Sequence, residues 1–389
     1  MAKHVTYRAS KTVKTNERIR RLLRELPASC TDYFRAISQI TSPLTRLAYA
    51  YDLRLFFQYL TSESVTFANS SPPYIAIEDI AKITARDIAG FQEYLMQYVK
   101  QSADPQEKDA DHSPIFVQNS ELGIMRKLCS VRSYFDYLFK NELIPANVAT
   151  LVSLPRKRQK PIVYMEKHEV DRMMAAVVSG EGLTKSQQHY QKITQKRDIA
   201  ILMMFLGTGI RVSELVGLDL DDIDFRNSAF LVTRKGGDRV ILYFADGVAD
   251  ALQEYMQDRK AIQPQPGHEQ ALFLSLQKRR ITQRAVENLV KKYAIIGAPL
   301  KKNVSPHKLR STFGTNLYEE TGDIYLVADA LGHADVNTTR RHYAAMSDAR
   351  RREASQRISL PDISRISTPD MPNHAGQDDA QADANINKN

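Results

Sequence analysis

The feature that most constrains this chain is an interruption. Leu154-Pro-Arg-Lys-Arg-Gln-Lys-Pro161 is basic, bracketed by prolines, and lies between two stretches whose apolar residues recur at helical spacing. Proline lacks an amide donor and biases the preceding residue away from helix, so neither periodic stretch runs through the segment. The chain is expected to fold as two bodies joined by a linker, and 389 residues suffice for two cores plus tails.

Before the linker the pattern predicts a small all-α domain. Ser42-Pro43 reads as an N-cap followed by proline at the first helical position, and behind it Leu53, Phe56, Phe57 and Leu60 fall on one side. A second helix follows Thr84, with Ile88, Phe91, Tyr94 and Leu95 on one side. A third starts near Asn119, with Leu122, Leu128, Phe135 and Leu138 apolar and Arg126, Lys127 and Arg132 displayed elsewhere. The polar stretch Gln101 to Pro114 reads as a loop. The aromatic stripes are core, which leaves Arg126, Lys127 and Arg132, with Arg156, Lys157 and Arg158 of the linker, as candidates for phosphate contact.

After the linker the pattern is helical again from Glu166. Val178 to Gln188 reads as a loop, and Arg197 to Leu206 as an apolar helix ended by Gly207 and Gly209. Two β-branched runs, Ala229 to Thr233 and Arg239 to Phe244, flank Arg234-Lys-Gly-Gly-Asp238, the signature of a hairpin turn. Helices resume near Gly247 and continue to about Gln356. The fold class is therefore mainly α with a small antiparallel sheet in the second domain. Five segments result: 1–27, a basic arm; 28–153, helical; 154–165, the linker; 166–360, the second domain; 361–389, a disordered acidic tail.

Composition narrows the partners. Hydrophobic content of 43% and charged content of 25% are ordinary for a globular protein. The formal charge is +9. Pro369 to Asn389 carries four aspartates against Lys388, which leaves about +12 on the rest. A basic body points to a polyanion, by default nucleic acid. The arm, with Lys11, Lys14, Arg18, Arg20, Arg21 and Arg24, admits two readings: a nucleic-acid contact or a loosely attached solvated helix. Cys30 and Cys129 lack metal-ligand spacing and read as reduced thiols of a cytoplasmic protein. No apolar run approaches the ~18 residues of a membrane span, and the N-terminus has no hydrophobic signal core.

The chemistry concentrates in six residues of the last third: Arg211, Lys235, His307, Arg310, His333 and Tyr343. They supply two guanidiniums, an ammonium, two imidazoles and a phenol, an inventory suited to attack on a phosphodiester without a metal ion. Ser305-Pro306 opens a helix that puts His307 and Arg310 three apart on one face. Arg211 follows a Gly-Thr-Gly break and can grip two nonbridging oxygens, with Glu214 orienting it. Lys235 sits at the hairpin tip, from which an ammonium can give a proton to a departing alkoxide. Gly332 is a left-handed stop before His333. A phenol with an ordinary pKa of about 10 needs a cationic pocket to act as nucleophile. Each has a bland alternative: a capping histidine, a surface ion pair, a solvated turn lysine, a structural tyrosine among 18.

Taken jointly, the frames Gly209-Ile-Arg-Val-Ser-Glu-Leu, Thr233-Arg-Lys-Gly-Gly, Ser305-Pro-His-Lys-Leu-Arg, Leu331-Gly-His and Thr339-Arg-Arg-His-Tyr strongly resemble the tyrosine recombinases, the phage-integrase and Xer-type group. That signature is Arg, Lys, His-x-x-Arg, His or Trp, then Tyr, and all six positions match. Thr45, Tyr49, Asp52, Leu53 and Phe56 are similar to the first helix of the family's SAM-like core-binding domain. The resemblance spans roughly residues 30 to 360.

The resemblance implies a two-domain DNA clamp, a SAM-like core-binding domain plus a catalytic domain. It implies that Tyr343 attacks a DNA phosphate to form a 3′-phosphotyrosyl link and release a 5′-hydroxyl. Arg211, Arg310 and His333 then hold the nonbridging oxygens, Lys235 protonates the leaving oxygen, and His307 is the acid/base partner of the tyrosine. No cofactor, metal or ATP is implied. The partner is double-stranded DNA carrying a specific core site, bound by a homotetramer or by a heterotetramer with a related recombinase, with 346–360 docking on a neighbour. Rival expectations are a type IB topoisomerase-like nicking-resealing enzyme, a catalytically silent DNA-binding protein, and a metal-dependent nuclease.

Overall fold

The computed structural model describes residues 7–64, 66–68, 70–99, 116–155, 162–234, 237–301, 303–333, 335–337 and 339–340. Expectations placed on Arg156, Lys157, Arg158, Lys235, Tyr343, the 101–114 loop, the 346–360 segment and the tail fall outside these residues. Residues up to Gly332 make one unit and those from His333 a second. The first contains two separate hydrophobic cores, one on each side of the 156–161 segment.

The first core is built on α3 (Pro43–Glu63). Ser42 caps it, its hydroxyl accepting from the Thr45 amide at 3.2 Å, and Pro43 takes the first position as expected. Leu53, Phe56, Phe57 and Leu60 are fully buried. They meet α5 (Ala85–Tyr94), which starts in a capping box between Thr84 and Asp87, and α6 (Glu121–Lys140), capped by Ser120. Edge-to-face rings bind the layers: Phe56 lies 5.1 Å from Phe91 and Phe57 6.0 Å from Tyr134. Leu122 is exposed and Ile124 takes the buried place on α6.

Residues 7–23 form a helix, as one of the two readings of the arm has it, but α1 (Tyr7–Leu23) is not loosely attached: it packs along α3, with Ile19 and Leu22 buried beside Leu26. The expected boundary at residue 27 has no counterpart in the packing. The short helices α2 (Ala28–Ala36) and α4 (Ile77–Ile80) complete this body. The polar 101–114 stretch is flanked by a two-stranded antiparallel ladder, β1 (Gln97–Val99) with β2 (Phe116–Gln118).

The second core surrounds α8 (Lys185–Thr208), against which α7 (Lys167–Ser179), α10 (Asp246–Ala261) and α12 (Pro306–Thr321) pack. The loop expected over 178–188 is shorter: α7 stops at the left-handed Gly180, and Thr184 with Gln187 forms a capping box that starts α8. Nor does Gly207 end that helix. It lies inside it, where a side chain would meet Val248. The sheet is β3 (Ile223–Asp224), β4 (Ala229–Thr233) and β5 (Arg239–Tyr243) in consecutive antiparallel order. The remaining helices are α9 (Val212–Leu215), α11 (Gln283–Gly297) and α13 (Ile324–Leu331). Among the described residues, no helix is long and apolar enough to cross a membrane.

Candidate active site

Three chain terminations bring the site together. The first ends α8. Gly209 has φ 61°, a conformation that costs any residue with a Cβ, and a side chain there would strike Phe313 and Leu331. The chain then turns so that Arg211 becomes the N-cap of α9. Glu214, one turn on, grips it at both ends: Oε2 accepts from the Arg211 amide at 3.0 Å and Oε1 from Nη1 at 2.9 Å. Glu214 is buried, so these bonds fix where the guanidinium can go.

The second is the start of α12. Pro306 occupies its first turn, and Ser305 stands at the cap position without a side-chain cap bond. His307 faces outward, whereas Arg310, three residues on, is 5% exposed. Its Nη1 donates to the Gly209 carbonyl and its Nη2 to the Leu331 carbonyl.

The third is the end of α13. Asp323 caps its start through Oδ1, which accepts from the Tyr325 and Leu326 amides at 2.8 and 3.1 Å. Gly332 closes it in the left-handed region (φ 57°, ψ 53°), as the sequence predicts. The last carbonyls of a helix have no intrahelical donor and carry the negative end of its dipole. Arg211 Nη2 donates to those of Leu331 and Gly332 at 3.3 and 2.9 Å. Arg211 and Arg310, 99 positions apart by their numbering, therefore share the Leu331 oxygen.

A third guanidinium reaches this place. Arg234, at the end of β4, occupies with its Cζ, Nη1 and Nη2 the space a Cβ on Gly332 would need. The sequence carried one signal for it, adjacency to Lys235. In the second unit, His333 Nδ1 lies 2.7 Å from Thr339 Oγ1, and residues 336–337 and 339–340 are helical. Among the described residues no group of three His, Cys, Asp or Glu side chains is arranged to hold a metal ion.

The three basic candidates of the first domain have internal partners. Arg126 forms a two-bonded pair with the buried Asp52 (2.5 and 2.7 Å), which also accepts from Ser130 Oγ at 2.7 Å. Lys127 Nζ lies 2.7 Å from Asn119 Oδ1, and partial burial pushes its pKa below the ordinary lysine value. Arg132 donates from Nε to the Ala149 carbonyl at 3.1 Å and from Nη2 to that of Val152. All three help tie α6 to its surroundings.

Comparison with known proteins agrees with this geometry. The Phage integrase family model matches residues 163–350. Tyrosine recombinase XerC of Caldanaerobacter subterraneus subsp. tengcongensis is 30% identical over 336 residues, 85% of each chain. Tyrosine recombinase XerS of Streptococcus pneumoniae is 27% identical over 355 residues, covering 85% of this chain and 96% of its own. Among solved structures, XerH site-specific recombinase bound to palindromic difH substrate in a post-cleavage complex matches with TM-score 0.57 at 18% identity, over 82% of this chain and 81% of that one. Tn1549 transposon integrase in complex with transposon right end DNA matches with TM-score 0.56 at 22% identity, over 85% of this chain and 99% of that one.

The fold and the motifs define an enzyme class, the DNA strand-exchanging recombinases that use a tyrosine. The chain belongs to the tyrosine recombinase branch of the phage integrase family.

Proposed function

We propose that this recombinase cleaves one strand at a specific core site through Tyr343, leaving a 3′-phosphotyrosyl link and a free 5′-hydroxyl, and rejoins it to another strand. The link conserves the energy of the phosphodiester bond, so an incoming 5′-hydroxyl reverses the step without ATP. In this reading Arg211 and Arg310 stabilise the charge that accumulates on the nonbridging oxygens of the pentavalent transition state, with His333 as a third donor. Lys235 protonates the leaving oxygen and His307 serves the tyrosine as acid/base partner. Glu214 positions Arg211.

One observation carries the proposal: two arginines distant in sequence meet at the Leu331–Gly332 turn that leads into His333. The DNA complexes of the structural relatives support double-stranded DNA as partner. A homotetramer, or a heterotetramer with a related recombinase, follows by analogy, as does a cytoplasmic location. Phosphate contact by Arg126, Lys127, Arg132, Arg156, Lys157 and Arg158 belongs to the same proposal. Arg126, 48% exposed in its side chain, can serve DNA while still paired with Asp52.

The test incubates the protein, in EDTA, with a nicked suicide duplex carrying its core site and reads an SDS-resistant adduct. The expected outcome is an adduct with wild type and none with Tyr343→Phe. A bound site that yields no adduct in wild type overturns the catalytic reading and favours a silent DNA-binding protein. Adduct formation without Holliday-junction product favours nicking and resealing.

A further inference from the structure

We infer that Arg234 is a third guanidinium of the scissile-phosphate pocket, acting on the nonbridging oxygens beside Arg211 and Arg310. The inference rests on the reading of that pocket as a phosphodiester site. Its root is fixed: the Arg234 amide donates to the Asp238 carbonyl at 2.8 Å, and its own carbonyl accepts from the Gly237 amide at 3.1 Å, so the turn closes around it. Its head is fixed too. The guanidinium lies against Gly332, its Cζ, Nη1 and Nη2 in the space that any larger residue's Cβ would fill, and its Nε is buried. The carbonyl of that same Gly332 accepts from Arg211, and the preceding carbonyl accepts from both Arg211 and Arg310. Three guanidiniums from three elements thus converge on a two-residue turn.

Guanidinium charges gathered at one turn repel, Glu214 offsetting that of Arg211, and the repulsion is stronger where water is partly excluded. An anion seated among them relieves it. A phosphodiester carries one negative charge at rest and gains a second as the pentavalent transition state forms, so the benefit of a third cation is greatest at that point. Arginine suits the task because it stays charged and offers a planar fork of donors.

The experiment uses the full-length protein as wild type, Arg234→Ala, Arg234→Gln and Arg234→Lys, each first shown by thermal melting and gel shift to fold and to bind the core site. Adduct formation is timed on two suicide duplexes, one with the natural scissile phosphate and one in which a neutral methylphosphonate replaces it. On the natural substrate we expect Arg234→Ala and Arg234→Gln to cleave about 10²-fold more slowly than wild type, the loss typical of one transition-state donor, with Arg234→Lys in between. On the methylphosphonate, with one oxygen charge removed, the variants should approach wild type. Equal fold-losses on both duplexes would show a purely structural role and overturn the inference, as would no loss on either. Rescue only when the methylphosphonate sits at a neighbouring linkage also overturns it, by moving Arg234 to another phosphate. Failure of wild type to form any adduct is a separate result, against the proposed function itself.

Discussion

Glu214 holds Arg211 by both its backbone and its side chain, one carboxylate oxygen on each. The aim of the guanidinium is thus set by the turn that starts α9, and the two cannot vary independently. Replacing Glu214 with Gln keeps the shape but removes the charge and, since an amide nitrogen cannot accept, leaves one of the two Arg211 donors without its partner. We expect cleavage to fall by about tenfold with little change in affinity for the core site, because an aiming error of this kind is felt mainly in the transition state. Timed adduct formation beside a gel-shift titration checks the split.

Gly332 meets two demands, a left-handed backbone and room for Arg234. The variants Gly332→Ala and Gly332→Asn separate them. Both add a Cβ, but asparagine tolerates the left-handed region better. Alanine should lose about 1–2 kcal/mol from the backbone alone, and asparagine less. Both should lose cleavage to a similar extent if displacement of Arg234 is what matters. Denaturant melts give the first comparison and adduct rates the second.

Asp52 is 2% exposed and satisfied by Arg126 and Ser130. Its removal leaves polar groups without the carboxylate that joins α3 to α6. A fully buried pair broken this way costs ~3–5 kcal/mol. Arg126 remains half in solvent, so we expect about 2 kcal/mol for Asp52→Ala, read from urea unfolding.

Burial pushes the Cys30 thiol from an ordinary value of 9.0 up to about 12, eased slightly by the Tyr134 hydroxyl. The folded protein therefore keeps a proton that the unfolded chain releases. This contribution to stability is complete below pH 9 and drains between about 9 and 12, at up to about 1.4 kcal/mol per pH unit. Buried Tyr33 and Tyr134 are displaced in the same direction. Melting temperatures should fall on going from pH 8 to pH 10, and less steeply for Cys30→Ala. At neutral pH an alkylating reagent should label the half-buried Cys129 long before Cys30.

Where local chemistry decides structure, the residues spoke plainly. Ser42-Pro43 and Thr84 start helices, Gly332 stops one, and the two β-branched runs pair as a hairpin, with Thr233 opposite Arg239. What stayed hidden depends on partners remote in sequence. A string alone shows that Arg126, Lys127 and Arg132 are charged, but not that Asp52, Asn119 and the Ala149 and Val152 carbonyls await them. Beyond its adjacency to Lys235, Arg234 is hidden for the same reason: its counterpart is a glycine 98 positions further on. Gly207 reads as a stop because glycine inside a helix looks like one until the neighbouring Val248 shows why no larger residue fits.

The first helix carries its cations and its anchors on one short rod. Lys11, Lys14, Arg18 and Arg21 recur at steps of three and four and line a cleft with Asp219, His268 and Arg280, while Ile19 and Leu22 are buried against α3. A detachable basic tail can be acquired, shuffled or lost without disturbing the domain behind it. This one cannot, since deleting it opens the hydrophobic interior of its own domain. Selection on the electrostatics of this segment is thereby yoked to selection on folding, and its charge can change only by drift within the fold and not by exchange of a module.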